Sequence, residues 1–182
     1  IARQLGVSRT PIREAIRRLG DYGLVTIKPR SYAEVAGLRP EEAEDLTFLR
    51  ASLESLAVRQ LACRITDEGV ERLSHIADRV EGELRAGRVG QAFVEDSRFH
   101  LEIARLSGNQ HLFELADKLD AKVQMLRLVL QLPQQRLFQF VAQHRSIIDR
   151  VKDGDGEEGE RLMRNHILDQ LYYLEPSRRE KP

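Results

Sequence analysis

The sequence predicts a mainly α-helical protein: a truncated winged helix-turn-helix followed by an antiparallel, all-α bundle of six helices. Three observations carry that prediction. A short head is rich in turn and strand signals, whereas everything beyond Gly37 reads as amphipathic helix. Breakers cut the helical part at short intervals, at Thr66, Gly87, Gly108-Asn109, Pro133 and Asp153-Gly154-Asp155-Gly156. Charge divides along the same line. The 182 residues hold 29 Lys+Arg and 29 Asp+Glu, yet residues 1–40 carry eight basic and three acidic side chains, a net +5 that leaves −5 on the rest.

The head is read first. A short helix leads into the turn Gly6-Val7-Ser8, with Ser8 as N-cap of the next helix and Pro11 in that helix's first turn, where a missing N–H does little harm. Ile12, Ala15, Ile16 and Leu19 recur at helical spacing and are expected to form a buried stripe. Gly20 and Gly23 close this helix. Leu24–Ile27 reads as a strand, Lys28-Pro29-Arg30-Ser31 as a tight turn, and Tyr32–Ala36 as the returning strand. The chain starts at Ile1 and opens inside a helix, which is read as a head whose N-terminal part is missing. The body helices are expected at about 40–63, 67–86, 88–106, 110–130, 133–152 and 156–174, with Pro40 and Pro133 near N1 and Thr66 as an N-cap. The expected division is a head over 1–37, a helical domain over 38–175 and a polar tail over 176–182.

Composition excludes several classes. Hydrophobic residues make up 41% and charged residues 32%, a globular balance. No stretch approaches the ~18–20 apolar residues that span a bilayer, and no signal peptide is visible. A single cysteine, Cys63, excludes an internal disulfide and a Cys-rich zinc motif, and is read as a packed small side chain. Tryptophan is absent and aromatics are 5%, which argues against stacking platforms for single-stranded nucleic acid.

In the head, two helices that cross steeply need a small residue at the contact, a residue tolerant of positive φ in the turn, and branched apolar residues behind it. Ala2, Gly6, Ile12 and Ile16 supply them. The other face of the second helix presents Arg9, Arg13 and Arg17, with Ser8 and Thr10 beside them. Such a helix enters the major groove, its N-terminal residues at base edges and its arginines at phosphate or guanine. Lys28 and Arg30 at the hairpin tip then reach the adjacent backbone. The plain alternative is a solvated basic face. Gly6-Val7-Ser8-Arg9-Thr10-Pro11-Ile12-Arg13-Glu14-Ala15, with Leu19 and Tyr22-Gly23-Leu24-Val25, resembles the winged helix-turn-helix of the GntR family of bacterial transcriptional regulators. The resemblance implies a cytoplasmic, nucleoid-associated protein that binds a double-stranded DNA operator. The wing departs from the family, which often has Arg-Gly where this chain has Arg30-Ser31.

In the body, ligand-type residues interrupt apolar stripes. Asp96 and His100 stand at i, i+4 on the stripe Val89, Phe93, Ile103; His144 lies on Leu137, Phe140, Val141, Ile148; and His166 lies on Leu162, Gln170, Tyr173. A buried carboxylate and buried imidazoles need partners, and one divalent cation satisfies all four. Three nitrogens and one oxygen suit zinc, and also nickel, manganese or iron. The alternative is a set of separately hydrogen-bonded core histidines. His75 and His111 lie off the pattern and are read as surface or capping residues. Asn109 is read as a helix cap.

Leu49-Arg50 with Leu53-Glu54, Asp96-x3-His100, Gly108-Asn109, His144-Arg145-x-Ile147 and His166 resemble the FCD ligand-binding domain of FadR-type GntR regulators, in its six-helix, VanR-like division. The resemblance implies a metal held by Asp96, His100, His144 and His166, with a small carboxylate effector on the metal's open face. Arg50 is the candidate clamp for that carboxylate; its alternative is a surface pair with Glu54 at i+4. The function expected is a DNA-binding regulator, a homodimer on an inverted repeat, acting by repression as most of the family does. A metal-dependent helical enzyme and a pure metal sensor with a DNA-binding head stand as alternatives.

Overall fold

The structure is a computed structural model that describes residues 1–28, 32–130 and 132–174. The chain divides into two compact units, Ile1–Arg39 and Pro40–Pro182.

Among its described residues the first unit holds one helix, α1 (Arg9–Asp21), and a hairpin of β1 (Val25–Ile27) and β2 (Ala33–Val35), paired antiparallel with Val25 opposite Val35. The expected short helix before α1 is instead a single turn. Leu5 N–H donates to the Ile1 carbonyl at 2.9 Å, and Val7 N–H to the Ala2 carbonyl at 3.1 Å. Gly6 takes φ 65°, so this turn ends as helices commonly end, on a left-handed residue that any Cβ would strain. Ser8 is the N-cap of α1 by position, but its side chain makes no capping hydrogen bond. The expected buried stripe is also corrected. No residue of α1 is buried; Ile12 and Ile16 are half-covered, while Ala15 and Leu19 are exposed. One helix and a two-stranded hairpin have too little apolar mass to enclose that stripe. Pro29, Arg30 and Ser31 lie outside the described residues.

The second unit is helical: α2 (Pro40–Ala62), α3 (Asp67–Arg85), α4 (Val89–Leu106), α5 (Gln110–Leu130), α6 (Gln134–Lys152) and α7 (Gly156–Leu168). The caps are local in origin. Thr66 Oγ accepts from Gly69 N–H at 3.2 Å, and Asn109 Oδ1 accepts from Leu112 N–H at 3.1 Å, the capping role expected of it. The last helix is shorter than expected. It stops at Leu168 and tightens into a 3-10 stretch, Asp169–Tyr173. Asp169 sets negative charge at the carbonyl end, and Tyr172-Tyr173 are weak helix formers, so the last turn narrows. Gln170 still turns inward and is buried. The polar tail lies outside the described residues.

α2 runs along α7 and also touches α4, α5 and α6; α3 packs on α4 and α6. α2 and α7 approach closely because Gly159 offers no side chain: a Cβ there would stand 2.8 Å from Val58 Cγ1. Among the described residues two apolar cores stand out. One gathers Val58, Leu61, Leu73, Phe99, Ile147 and Met163; the other gathers Val80, Leu84, Ala92 and Leu137. On α6, His144 stands between the residues that feed the two cores; on α4 that place is taken by Asp96, one turn before His100. Cys63 does not pack as expected. It falls one residue past the end of α2, off the apolar stripe, and is exposed. No described helix is long and apolar enough to cross a membrane.

Candidate metal centre

Each ligand-type side chain is aimed inward by the helical period, and three separate helices bring them together. His100 (α4), His144 (α6) and His166 (α7) are all buried and can each offer a ring nitrogen, with these atoms within 4.8 Å of one another. His144 is fully enclosed, stacked on Phe99 at 4.1 Å between ring centroids. Asp96 stands at the edge of this group. Its Oδ1 is 3.3 Å from His144 Nε2 and its Oδ2 is 3.6 Å from His100 Nε2. His75 and His111 are exposed, away from the cluster.

The ring nitrogens test whether a cation fits. Both nitrogens of His144 and Nε2 of His100 are buried without a hydrogen-bond partner. Unpaired buried polar atoms are costly, and histidine nitrogens are good donors to Zn²⁺ and related ions. The surroundings hold the rings as a metal site requires. His166 Nδ1 lies 2.7 Å from Gln143 Oε1, which leaves Nε2 for a cation. His100 Nδ1 lies 2.6 Å from Glu54 Oε2, and Arg50 Nε donates to the other Glu54 oxygen at 2.6 Å. A carboxylate behind an imidazole fixes its tautomer and raises its basicity. The residues present therefore fit a divalent cation.

The protonation states agree with ligation. Burial would raise the Glu54 carboxyl, but Arg50 and His100 outweigh it and hold it at about 2. Burial would likewise raise Asp96, yet the Arg127 guanidinium and the rings of His100 and His144 hold it far below the carboxylate range. Burial, chiefly, pushes His144 down to about 3 and His166 well below its ordinary value. Both carboxylates are thus ionised and these two imidazoles neutral at pH 7, the forms that bind metal.

Arg50 is buried, unlike the surface pair set against its role as a clamp. It does contact Glu54, but Nη1 and Nη2 are enclosed without a partner. Arg127 (α5) joins the cluster in addition to the residues that the sequence singles out. Its Nη2 donates to Asp96 Oδ2, and its Nη1 to Ser97 Oγ at 2.7 Å and the Phe93 carbonyl at 3.1 Å. The signal lay in the sequence, because Arg127 is a charged residue beside the apolar run Val123, Leu126, Leu130, the same anomaly that identified Asp96. Gln143 carried no comparable signal.

Two cavities reach this cluster. One is lined by Asp96, Arg127, His166 and Gln170 together with residues of the second apolar core. The other is lined by Arg50, Glu54, His100, Asp120 and Arg127. In the first unit, Ser8, Arg9, Thr10, Arg13 and Arg17 are exposed along the start and outer face of α1. Lys28 is exposed and lies 3.5 Å from Glu34, and Arg30 falls outside the described residues.

Residues 45–169 match the FCD domain family, and residues 1–35 match the bacterial regulatory proteins of the gntR family. The chain is similar to an HTH-type transcriptional regulator in an unstable DNA locus of Streptomyces ambofaciens, 29% identical over 171 residues that cover 92% of this chain and 70% of that one. It is 24% identical to the HTH-type transcriptional repressor RspR of Escherichia coli K12, over 90% of this chain and 72% of that one. Among solved structures, McbR/YncC of E. coli matches with a TM-score of 0.85 at 20% identity, covering 97% of this chain and 84% of that one, a likeness of fold.

Proposed function

We propose, from the premise that the chain belongs to the gntR-family bacterial regulators that carry an FCD domain, that this DNA-binding transcriptional regulator is a repressor controlled by a small organic acid held at a divalent-metal site. The relatives and families are those of transcriptional regulators, so the chain is not an enzyme and the helical-metalloenzyme alternative falls. Repression is supported by the relative named as a repressor.

One observation carries the proposal: three buried histidines converge with their nitrogens within 4.8 Å, both nitrogens of His144 and Nε2 of His100 lack hydrogen-bond partners, and a buried arginine with both terminal nitrogens unpaired sits beside them. His100, His144, His166 and Asp96 would hold the cation, zinc first and nickel, manganese or iron as alternatives. A bound cation supplies a positive centre with an open coordination position for a carboxylate oxygen. Arg50 grips that carboxylate through its two free nitrogens, and Glu54 holds Arg50 and His100 in place.

The head, residues 1–37, reads the operator. Ser8, Arg9 and Thr10 meet base edges, Arg13 and Arg17 meet phosphate or guanine, and Lys28 and Arg30 meet the flanking backbone. The helical domain, residues 38–175, binds metal and effector and makes the homodimer, so that two heads meet the halves of an inverted repeat. Effector binding biases the helical domain and so changes operator affinity, a coupling between two distinct sites.

A mobility-shift titration on an operator fragment tests this. Metal-loaded protein is expected to respond to the acid, and chelation is expected to abolish the response. Operator affinity that follows free metal with no acid present would instead establish the pure metal sensor. An Arg50→Ala variant that keeps a normal response would move the clamp elsewhere.

A further inference from the structure

The cavity on the Asp96 and His166 side of the cluster differs in character from the ligand group it adjoins. Its wall is built mostly from Val80, Leu84, Phe93, Leu137, Phe140 and Val141. Four of its lining residues, Val80, Leu84, Ala92 and Leu137, are themselves the second apolar core. The polar groups of the wall are concentrated at the histidine cluster, and they are engaged. Arg127 donates to Asp96, Ser97 and the Phe93 carbonyl, and His166 Nδ1 is against Gln143. Gln170 contributes the remaining polar group, one helical turn from His166.

We propose that the effector is a monocarboxylic acid with an apolar alkyl or aryl body, its carboxylate at the metal and its body in this cavity, which Asp96 and His166 join to the cluster. This rests on the reading of the cluster as a metal and carboxylate site. The chemistry follows from the wall. An acid whose body carries several hydroxyls would bury them against hydrocarbon without partners, at a cost of roughly ten-fold in affinity or more for each. A second or third carboxylate would be desolvated beside Phe93, Phe140 and Val141 with no cation to meet it. A methylene in the same place gains about four-fold. Such a site discriminates by length and apolar shape, with the head group common to every acid that binds.

The experiment is calorimetric titration of the full, zinc-loaded chain with acetate, butanoate, hexanoate, octanoate, gluconate and citrate. Affinity is expected to rise about four-fold per methylene until the cavity is filled. Gluconate and citrate are expected to bind no tighter than acetate. A flat series, or gluconate or citrate binding tightest, overturns the apolar-body inference while leaving the metal and carboxylate site standing. Failure of every carboxylate to bind protein that holds zinc overturns the effector reading itself. Two variants separate head from body. Arg50→Ala is expected to weaken the whole series by one common factor with the length dependence kept. Val141→Phe is expected to lower affinity for octanoate while sparing acetate; an unchanged length dependence in a folded Val141→Phe protein would remove the body from this cavity. Should that variant not fold, the length series on the unaltered chain decides the matter alone.

Discussion

The two units use the same side chain in opposite surroundings. In the head, Arg9, Arg13 and Arg17 stand in solvent along a helix that buries nothing. In the helical unit, Arg50 and Arg127 are enclosed among apolar helices and pressed against carboxylates. An exposed guanidinium holds its charge at almost no structural cost and contributes little to the fold. A buried one depends on its partners, and its partners depend on it. The difference teaches that charge in this chain does two kinds of work. In the head it stays in solvent; in the body it ties carboxylates and the histidine cluster in place.

That contrast can be broken, beginning with the largest effect. Replacing His144 and His166 together by alanine is expected to take bound metal to background, read by elemental analysis, and to abolish the rise in melting temperature that added zinc is expected to give the unaltered chain. Full metal content in the double variant would end the description of the cluster as a ligand set.

Next is Arg127→Ala, which leaves the Asp96 carboxylate in the interior without its guanidinium. Breaking one side of a buried pair costs roughly 3–5 kcal/mol, and because Asp96 keeps some exposure the lower end is expected. Urea unfolding measures it. A loss below about 0.5 kcal/mol would place Arg127 with the surface arginines.

Acid titration of the metal-free chain comes third. His144 is depressed to about 3 and remains neutral in the fold, whereas the unfolded chain takes up its proton near pH 6.5. Its stabilisation is therefore present above about pH 6.5 and is lost as pH falls toward 3. Glu54, held at about 2, adds a second loss from near pH 4.5 down to 2, again because the unfolded chain binds the proton more readily. Stability that stays level from pH 7 to pH 4 would contradict this sign.

The smallest effect on folding is expected from Arg13→Ala. Unfolding free energy should change by no more than about 0.5 kcal/mol, because the side chain is exposed and touches no core. Operator affinity should nonetheless fall by roughly ten-fold in a mobility-shift assay. A variant that unfolds early would show that α1 leans on Arg13, and the contrast between the units would blur.

Much of the fold was legible because helix signals are local. Thr66, Asn109, Pro133 and the Asp153–Gly156 segment each act within one turn of chain, and each marks a helix end within a residue or two. The clustered histidines were legible for the same reason: a 3.6-residue period tells which side chains share a stripe, and a histidine among leucines is conspicuous. The misses have another origin. Helical spacing predicts a stripe on α1 but not what covers it, and the hairpin leaves that stripe unburied. Cysteine's small apolar character predicts packing for Cys63, but position one residue past the end of α2 leaves it exposed. The i+4 spacing of Arg50 and Glu54 predicts their pair but leaves clamp and surface pair open, because spacing does not report depth; packing of α4 and α5 on α2 encloses it.

The sequence by itself determined the order of the elements, the basic head, and the residues able to hold a metal, because each of these is written in spacings of a few residues. Tertiary structure alone decided what stands behind those residues. Arg127 meets Asp96 across 31 residues of chain, Gln143 meets His166 across 23, and Glu54 reaches His100 from another helix. Those meetings depend on how closely helices cross, as where Gly159 lets α7 settle onto α2. Crossing distance is set by the packing of many side chains at once, so no single spacing in the sequence encodes it.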